Sequence, residues 1–222
     1  KFDPIPTAAY YSLAGLFTRP ENCAGPRPRK PAGGLDNLDP ANLDDRYALI
    51  DRIPADERPV VFIGPYEHHS NELPWRESIA EVITIPEDAD GHIDLAVLEK
   101  ELSTYADRPL RIGSFSAASN VTGITSDVVA ISTMLHRHGA LSFWDYAAAG
   151  PYVDIDASDA DAIFLSPHKF IGGPGTPGVL IVNRALLTNS VPDVVGGGTV
   201  AYVNPLEHLY LADHAHREEA GT

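Results

Sequence analysis

From Pro59 onward, short apolar runs alternate with stretches in which apolar residues recur every three or four positions. The runs "PVVFIG" (59–64), "EVITIP" (81–86), "PLRIGSFS" (109–116), "ALSFWD" (140–145), "DAIFLS" (161–166) and "GVLIVN" (178–183) predict strands. A strand covered on both faces is apolar throughout rather than alternating. In "DLAVLEKELSTY" (94–105), Leu95, Val97, Leu98 and Leu102 fall on one helical stripe, with Asp94 placed to cap it. "TSDVVAISTMLHRHG" (125–139) predicts a second helix, with Thr125 or Ser126 as its cap and Gly139 as its stop. Before Pro59 the pattern is lost. "TRPENCAGPRPRKPAGGLDNLDP" reads as loop or linker, because its prolines deny donors to helix and sheet alike. The expected division is an irregular Pro/Gly-rich segment over 1–57 and a folded domain over 58–222. No internal repeat is visible.

Strands that alternate with helices predict an α/β fold, a mainly parallel sheet with helices on both faces. In such sheets ligands bind in the crevice outside the carboxyl ends of the strands. His68, His69 and Asn71 follow the run at 59–64; Ser116, Ser119 and Asn120 follow or end the run at 109–116. Asp145 ends the run at 140–145, and Ser166, His168 and Lys169 follow the run at 161–166. Singly, each has an ordinary structural explanation: a satisfied loop histidine, an aspartate capping "YAAAG", a solvated lysine. Together they deliver polar or ionisable groups from four strands to one edge of the sheet.

Composition narrows the classes of function. The chain has 222 residues, 44% hydrophobic and 21% charged, enough to bury a core. Its net charge of −15 repels phosphate backbones and anionic lipid, which argues against nucleic-acid and membrane-surface binding. The single cysteine, Cys23, excludes an internal disulfide and fits a reducing cytoplasm. No apolar run approaches a transmembrane length and no signal peptide is visible. The chain opens on Lys1 and reaches Thr222 without a closing element, so a segment of a longer protein is expected.

The chemistry that needs this strand-end set is that of pyridoxal 5'-phosphate (PLP). That cofactor requires a lysine amine for its aldehyde (a Schiff base) and a carboxylate against its pyridine nitrogen. It also requires a planar group over the ring, donors for its phosphate and a polar partner for its ring oxygen. Lys169, Asp145, His68, Ser166 with His168, and Asn120 fill those roles in turn. The motifs "EHHSNELPW" (67–75), "SNVTG" (119–123), "HGALSFWDYAAAG" (138–150), "SPHKFIGGPGTPGVLIV" (166–182), "GGGTV" (196–200) and "REEAGT" (217–222) follow one another as in the class V aminotransferases. Those are fold-type I PLP-dependent transferases, and the chain resembles their cysteine desulfurase and selenocysteine lyase branch most.

The resemblance implies that the chain carries the large domain, with Lys169, His68 and Asp145 catalytic. Asn120, Ser166, His168 and Thr222 would bind the cofactor, Thr222 reaching the neighbouring subunit's phosphate in a homodimer with shared active sites. It implies an amino acid substrate and sulfur release from cysteine. An aminotransferase, another PLP lyase, or a truncated non-catalytic relative stands as the alternative. The chain departs from the pattern in four ways. Ala148 stands where relatives often carry a glutamine. No glycine- and threonine-rich phosphate loop is recognisable before residue 59. The small C-terminal domain, with the arginine that binds the substrate carboxylate, is absent, and so is the loop with a persulfide cysteine. Cys23 lies in the wrong region to replace that cysteine.

Two decoys are set aside. Gly173 to Gly178 matches G-x-G-x-x-G but precedes a strand and contains Pro174 and Pro177, whereas a dinucleotide loop follows a strand and opens a helix. Neither His68-His69 nor Asp213, His214 and His216 has the spacing of a zinc site, so no metal is expected.

Overall fold

The computed structural model describes residues 53–192 and 195–218. The segment 1–52, Cys23 within it, and Thr222 lie outside the described residues. Six strands form the main sheet: β1 (Val60–Ile63), β2 (Glu81–Thr84), β3 (Arg111–Ser116), β4 (Leu141–Asp145), β5 (Ala162–Leu165) and β6 (Val179–Val182). Their spatial order is β2-β1-β3-β4-β5-β6, and β1 to β5 are parallel. β6 runs antiparallel to β5, because a short series of turns over 166–178 reverses the chain in place of a crossover helix. The sheet is thus mainly parallel, as the alternation predicts. Its order reverses between β1 and β3, which makes the gap above those strands the crevice of the fold.

Side chains alternate strictly between two buried layers. Val60, Phe62, Phe115, Trp144 and Ile163 face helices α2 (Leu95–Thr104) and α3 (Val128–Arg137), meeting Leu98, Leu102, Ile131 and Leu135. Val61, Ile63, Ile112, Phe143 and Phe164 face the other way, where Trp75 of α1 (His69–Arg76) covers them. Helices therefore cover both faces. Each fully buried large side chain contributes on the order of 2 kcal/mol by area, so this double burial is the main reason the strands persist. A separate antiparallel pair, β7 (Val200–Val203) and β8 (His208–Tyr210), precedes the short helix α4 (His214–Glu218).

The helix caps test the pattern reading. Asp94 accepts the backbone N–H groups of Ala96 and Val97, as expected. Gly139, at φ 68, ends the turn after α3, as expected. The cap of α3 is corrected: Asp127, not Thr125 or Ser126, accepts the N–H of Ala130 at 3.0 Å. Ser126 is already used elsewhere, its hydroxyl donating to the Ser116 carbonyl at 2.8 Å. "YAAAG" forms successive turns rather than a helix, and Asp145 Oδ1 accepts the N–H of Ala147 at 2.7 Å. Helix α1 is absent from the pattern reading altogether.

Candidate functional site

Four adjacent parallel strands, β1, β3, β4 and β5, end at one edge of the sheet, and the expected residues follow from those ends. Neighbouring strands lie about 4.8 Å apart, so the set spans the width of a small cofactor. Asp145 is the last residue of β4 and is only 4% exposed. Because it stands two residues beyond Phe143 on the strand, its carboxyl lies on the α1 face of the sheet. Ser166, 3% exposed, leaves β5, and Pro167, His168 and Lys169 make one helical turn directly after it.

That turn is held by the backbone. The N–H of Lys169 donates to the Ser166 carbonyl, that of Phe170 to Pro167, and that of Gly173 to Phe170, each at 2.9 Å. A Cβ on Gly173 would sit 1.9 Å from the Pro167 carbonyl oxygen, so no other residue allows the turn to close. The glycines of "GGPGTPG" thus serve chain packing around Lys169. Lys169 itself is exposed, and its ammonium makes no hydrogen bond or ion pair with a described residue. His168 is half-buried. Asn120 is exposed in the turn after β3, where the Ser119 hydroxyl accepts the N–H groups of Val121 and Thr122.

His68 is the N-cap of α1, an unusual choice for that position. Its Nδ1 accepts the backbone N–H of Ser70 at 3.1 Å, so the proton of the neutral imidazole is on Nε2. The ring is exposed at the crevice. Pro74 lies inside α1 and removes one helical hydrogen bond. This short polar helix is held to the sheet by side chains instead. Trp75 Nε1 donates to Ser114 Oγ at 3.0 Å, and Ser114 Oγ donates to Asn71 Oδ1 at 2.7 Å. Asn71 Nδ2 donates to Glu67 Oε2 at 2.6 Å.

Glu67 is the residue the sequence reading passed over. Its Oε1 accepts the N–H of Ser116 at 3.0 Å and of Gly64 at 3.2 Å. Its Oε2 also accepts the Ser116 hydroxyl at 2.6 Å. Burial pushes its carboxyl pKa up, the bonds from Ser116 and Asn71 pull it back, and the nearby Asp145 adds to the rise. Glu67, Asn71 and Trp75 stand four residues apart, the signal that was available. Asn71 and Trp75 lie one turn apart on α1 and both bond Ser114, while Glu67, just before the N-cap, bonds Ser116. The three side chains thus fasten this segment to two alternate residues of β3.

A cavity of about 260 Å³ opens beside this edge, near Ala117 and Tyr146, rimmed by Asp154, Asp156 and Asp159. None of the expected site residues lines it, and its carboxylates are ill suited to an anionic phosphate. The second histidine cluster has local partners: Asp213 caps the backbone of Ala215 and His216, and His214 Nδ1 contacts the Leu187 carbonyl. Among the described residues, no three His, Cys, Asp or Glu side chains come together in a way that could hold a metal ion. No described helix is long and apolar enough to cross a membrane.

Comparison with known proteins follows the same lines. The cysteine desulfurase of Escherichia fergusonii is 34% identical over 168 residues, 73% of this chain and 40% of that protein. The cysteine desulfurase of Escherichia coli K12 is also 34% identical over 168 residues. This chain therefore spans about 40% of the length of these relatives. Among solved structures, the cysteine desulfurase CsdA of Escherichia coli superposes with a TM-score of 0.65 at 20% identity, covering 98% of this chain and 60% of that one. The apo cysteine desulfurase of Thermococcus onnurineus gives 0.65 at 21% identity, covering 100% and 61%. At such identities these structures establish the fold, that of the fold-type I enzymes. The model of the aminotransferase class-V family matches residues 49–222, a span that holds every strand of the sheet and every strand-end residue described above, and on that match this chain belongs to the class V aminotransferase family.

Proposed function

We propose that residues 58–222 form the PLP-binding large domain of an enzyme that releases sulfur from cysteine, residues 1–57 being a separate irregular segment. The carrying observation is Asp145: a carboxylate 4% exposed at the end of a central parallel strand, on the same sheet edge as Lys169. The donor set suits PLP in its chemistry. It offers an amine without a described partner, a buried carboxylate, an exposed imidazole and a buried hydroxyl. When bound, PLP supplies an electron sink for the bonds around the substrate's α carbon.

The chain's own residues have separable tasks. Lys169 carries the amine that holds the cofactor and accepts or returns protons at its Nζ. Asp145 holds a proton at the pyridine nitrogen, and its burial strengthens that attraction because little water screens it. His68 covers one ring face, its Nε2 proton directed away from the capping bond that Nδ1 makes. Asn120 contacts the ring-oxygen side, while Ser166 and His168 hold the phosphate. Thr222 reaches the phosphate in the partner subunit of a homodimer, completing two shared sites. The amino acid substrate is cysteine, and the enzyme acts in the cytoplasm.

The test uses protein expressed from the complete gene. Incubated with PLP, it is expected to show a visible absorbance band that Lys169→Ala abolishes, and to release sulfide from cysteine. No band at saturating PLP overturns the cofactor reading. A band with amino transfer to a keto acid, and no sulfide, assigns the aminotransferase alternative instead.

A further inference from the structure

The network on the α1 face ends in a carboxyl group that the tasks above leave unused. A chain of side-chain donors runs toward it, Trp75 to Ser114, Ser114 to Asn71 and Asn71 to Glu67, while Asn71 Nδ2 also donates to the Ser114 carbonyl at 3.3 Å. Glu67 also takes two donors from Ser116 and one from Gly64, so it is bonded to the ends of both β1 and β3. These are the two strands between which the sheet order reverses. Glu67 immediately precedes His68, and Ser116 is the register partner of Asp145. One side chain thus connects the turn that carries the imidazole to the strand beside the carboxylate. Gly64 leaves room for it, since a Cβ there would lie 2.7 Å from Glu67 Oε1.

We infer that Glu67 is a positioning residue of this site: by fastening the His68 turn to the end of β3 beside Asp145, it sets where the imidazole stands over the cofactor ring. The inference rests on the reading of the edge as a PLP site. A merely structural carboxylate would hold α1 onto the sheet and nothing more. A positioning residue acts through His68, and the two are separated by a double-substitution cycle.

The experiment compares full-length wild type, Glu67→Gln, Ser116→Ala, His68→Ala and the Glu67→Gln/His68→Ala pair. Three quantities are read: the PLP dissociation constant, the induced circular dichroism of the visible band, which reports ring orientation, and the melting temperature of the cofactor-free protein. Glu67→Gln sets an NH2 group where one carboxylate oxygen accepts two hydrogen bonds, and is expected to weaken PLP about tenfold, on the scale of a hydrogen bond to a charged group, and to change the dichroism. Ser116→Ala, which removes only the hydroxyl donor, is expected to shift both in the same direction by less. In the His68→Ala background the Gln substitution is expected to change PLP affinity by less than about twofold, the mark of coupled residues. Additive effects in the double variant overturn the inference and leave the PLP reading standing. So does a lower melting temperature with unchanged dichroism and affinity in both Glu67→Gln and Ser116→Ala. A wild type without a visible band overturns both.

Discussion

Two turns leave the same sheet edge, and they are built in opposite ways. The turn after β1, from Gly64 to His68, is fixed by side chains: Glu67 gathers donors from Gly64, Asn71 and Ser116, and His68 caps its own helix. The turn after β5, from Ser166 to Gly173, is fixed by backbone bonds and by a glycine that no side chain can replace. In the first, the imidazole is placed by a buried polar network. In the second, Lys169 projects from a backbone-bonded turn, its side chain exposed. That division suits a site in which one group must stay against a ring and another must reach, bind and release. Substitutions in the two turns are therefore expected to fail differently.

The largest expected effect is Trp75→Ala. The indole is 1% exposed, packs 6.2 Å from the Phe143 ring and anchors the network at Ser114. Its removal is expected to cost about 4 kcal/mol of stability, read by denaturant unfolding, with PLP affinity falling because α1 detaches. Next is Gly173→Ala, expected to cost about 2 kcal/mol by overpacking. Here the visible PLP band should be lost although the network around Glu67 is intact. A Gly173→Ala protein that keeps the band would show that the Lys169 turn has slack the bonded geometry does not indicate. Third is Gly64→Ala, expected to cost about 1 kcal/mol, and its dichroism should copy that of Glu67→Gln, since both displace one carboxylate.

The same contrast explains what could be read in advance. The inner strands, buried on both faces, announce themselves as apolar runs, and β1 to β6 lie within the six runs expected, although Val179 and Ile181 of the edge strand β6 are exposed. The edge they share follows from the βα alternation, so Asp145, Ser166 and Lys169 could be located by adding up strand ends. Helix α1 could not. It has eight residues, carries Pro74 and is held by polar groups, so its hydrophobic stripe is nearly missing. Glu67 is marked in the sequence only by its spacing to Asn71 and Trp75, for a related reason. Its partner Ser116 lies 49 residues away, and a carboxylate's meaning changes with what encloses it. The cap of α3 was misplaced by one or two residues because Thr125, Ser126 and Asp127 are all good caps. Only the tertiary bond from Ser126 to the Ser116 carbonyl removes one of them from contention. The β7–β8 pair was missed because Tyr202, Val203 and Leu209 are exposed, so no buried pattern marks it.

The smallest expected effect is the most specific to the β1 turn, and it is a slope rather than a loss. The carboxyl of Glu67 has its pKa raised in the folded protein, first by burial, with Asp145 of β4 adding to the rise; His68 is its neighbour on the same turn. Below the ordinary glutamate range, folded and unfolded chains both hold this proton and no stability difference arises. As pH climbs from that range toward the raised folded value, the unfolded chain loses the proton first. The folded chain then binds more protons than the unfolded one, and stability falls with rising pH. Above the folded value the penalty is complete and constant. Glutamine has no proton to lose, and its altered hydrogen bonds are the same at every pH. The melting temperature of cofactor-free wild type, minus that of Glu67→Gln, is therefore expected to decline from about pH 5 upward and then level off. On the proposed function, PLP would place a cationic nitrogen against Asp145, offset that carboxylate's effect on Glu67 and flatten the decline. A difference that is flat without cofactor would mean that Glu67 ionises as readily as a surface carboxylate, and one that rises with pH would mean that its donors outweigh burial and lower its pKa.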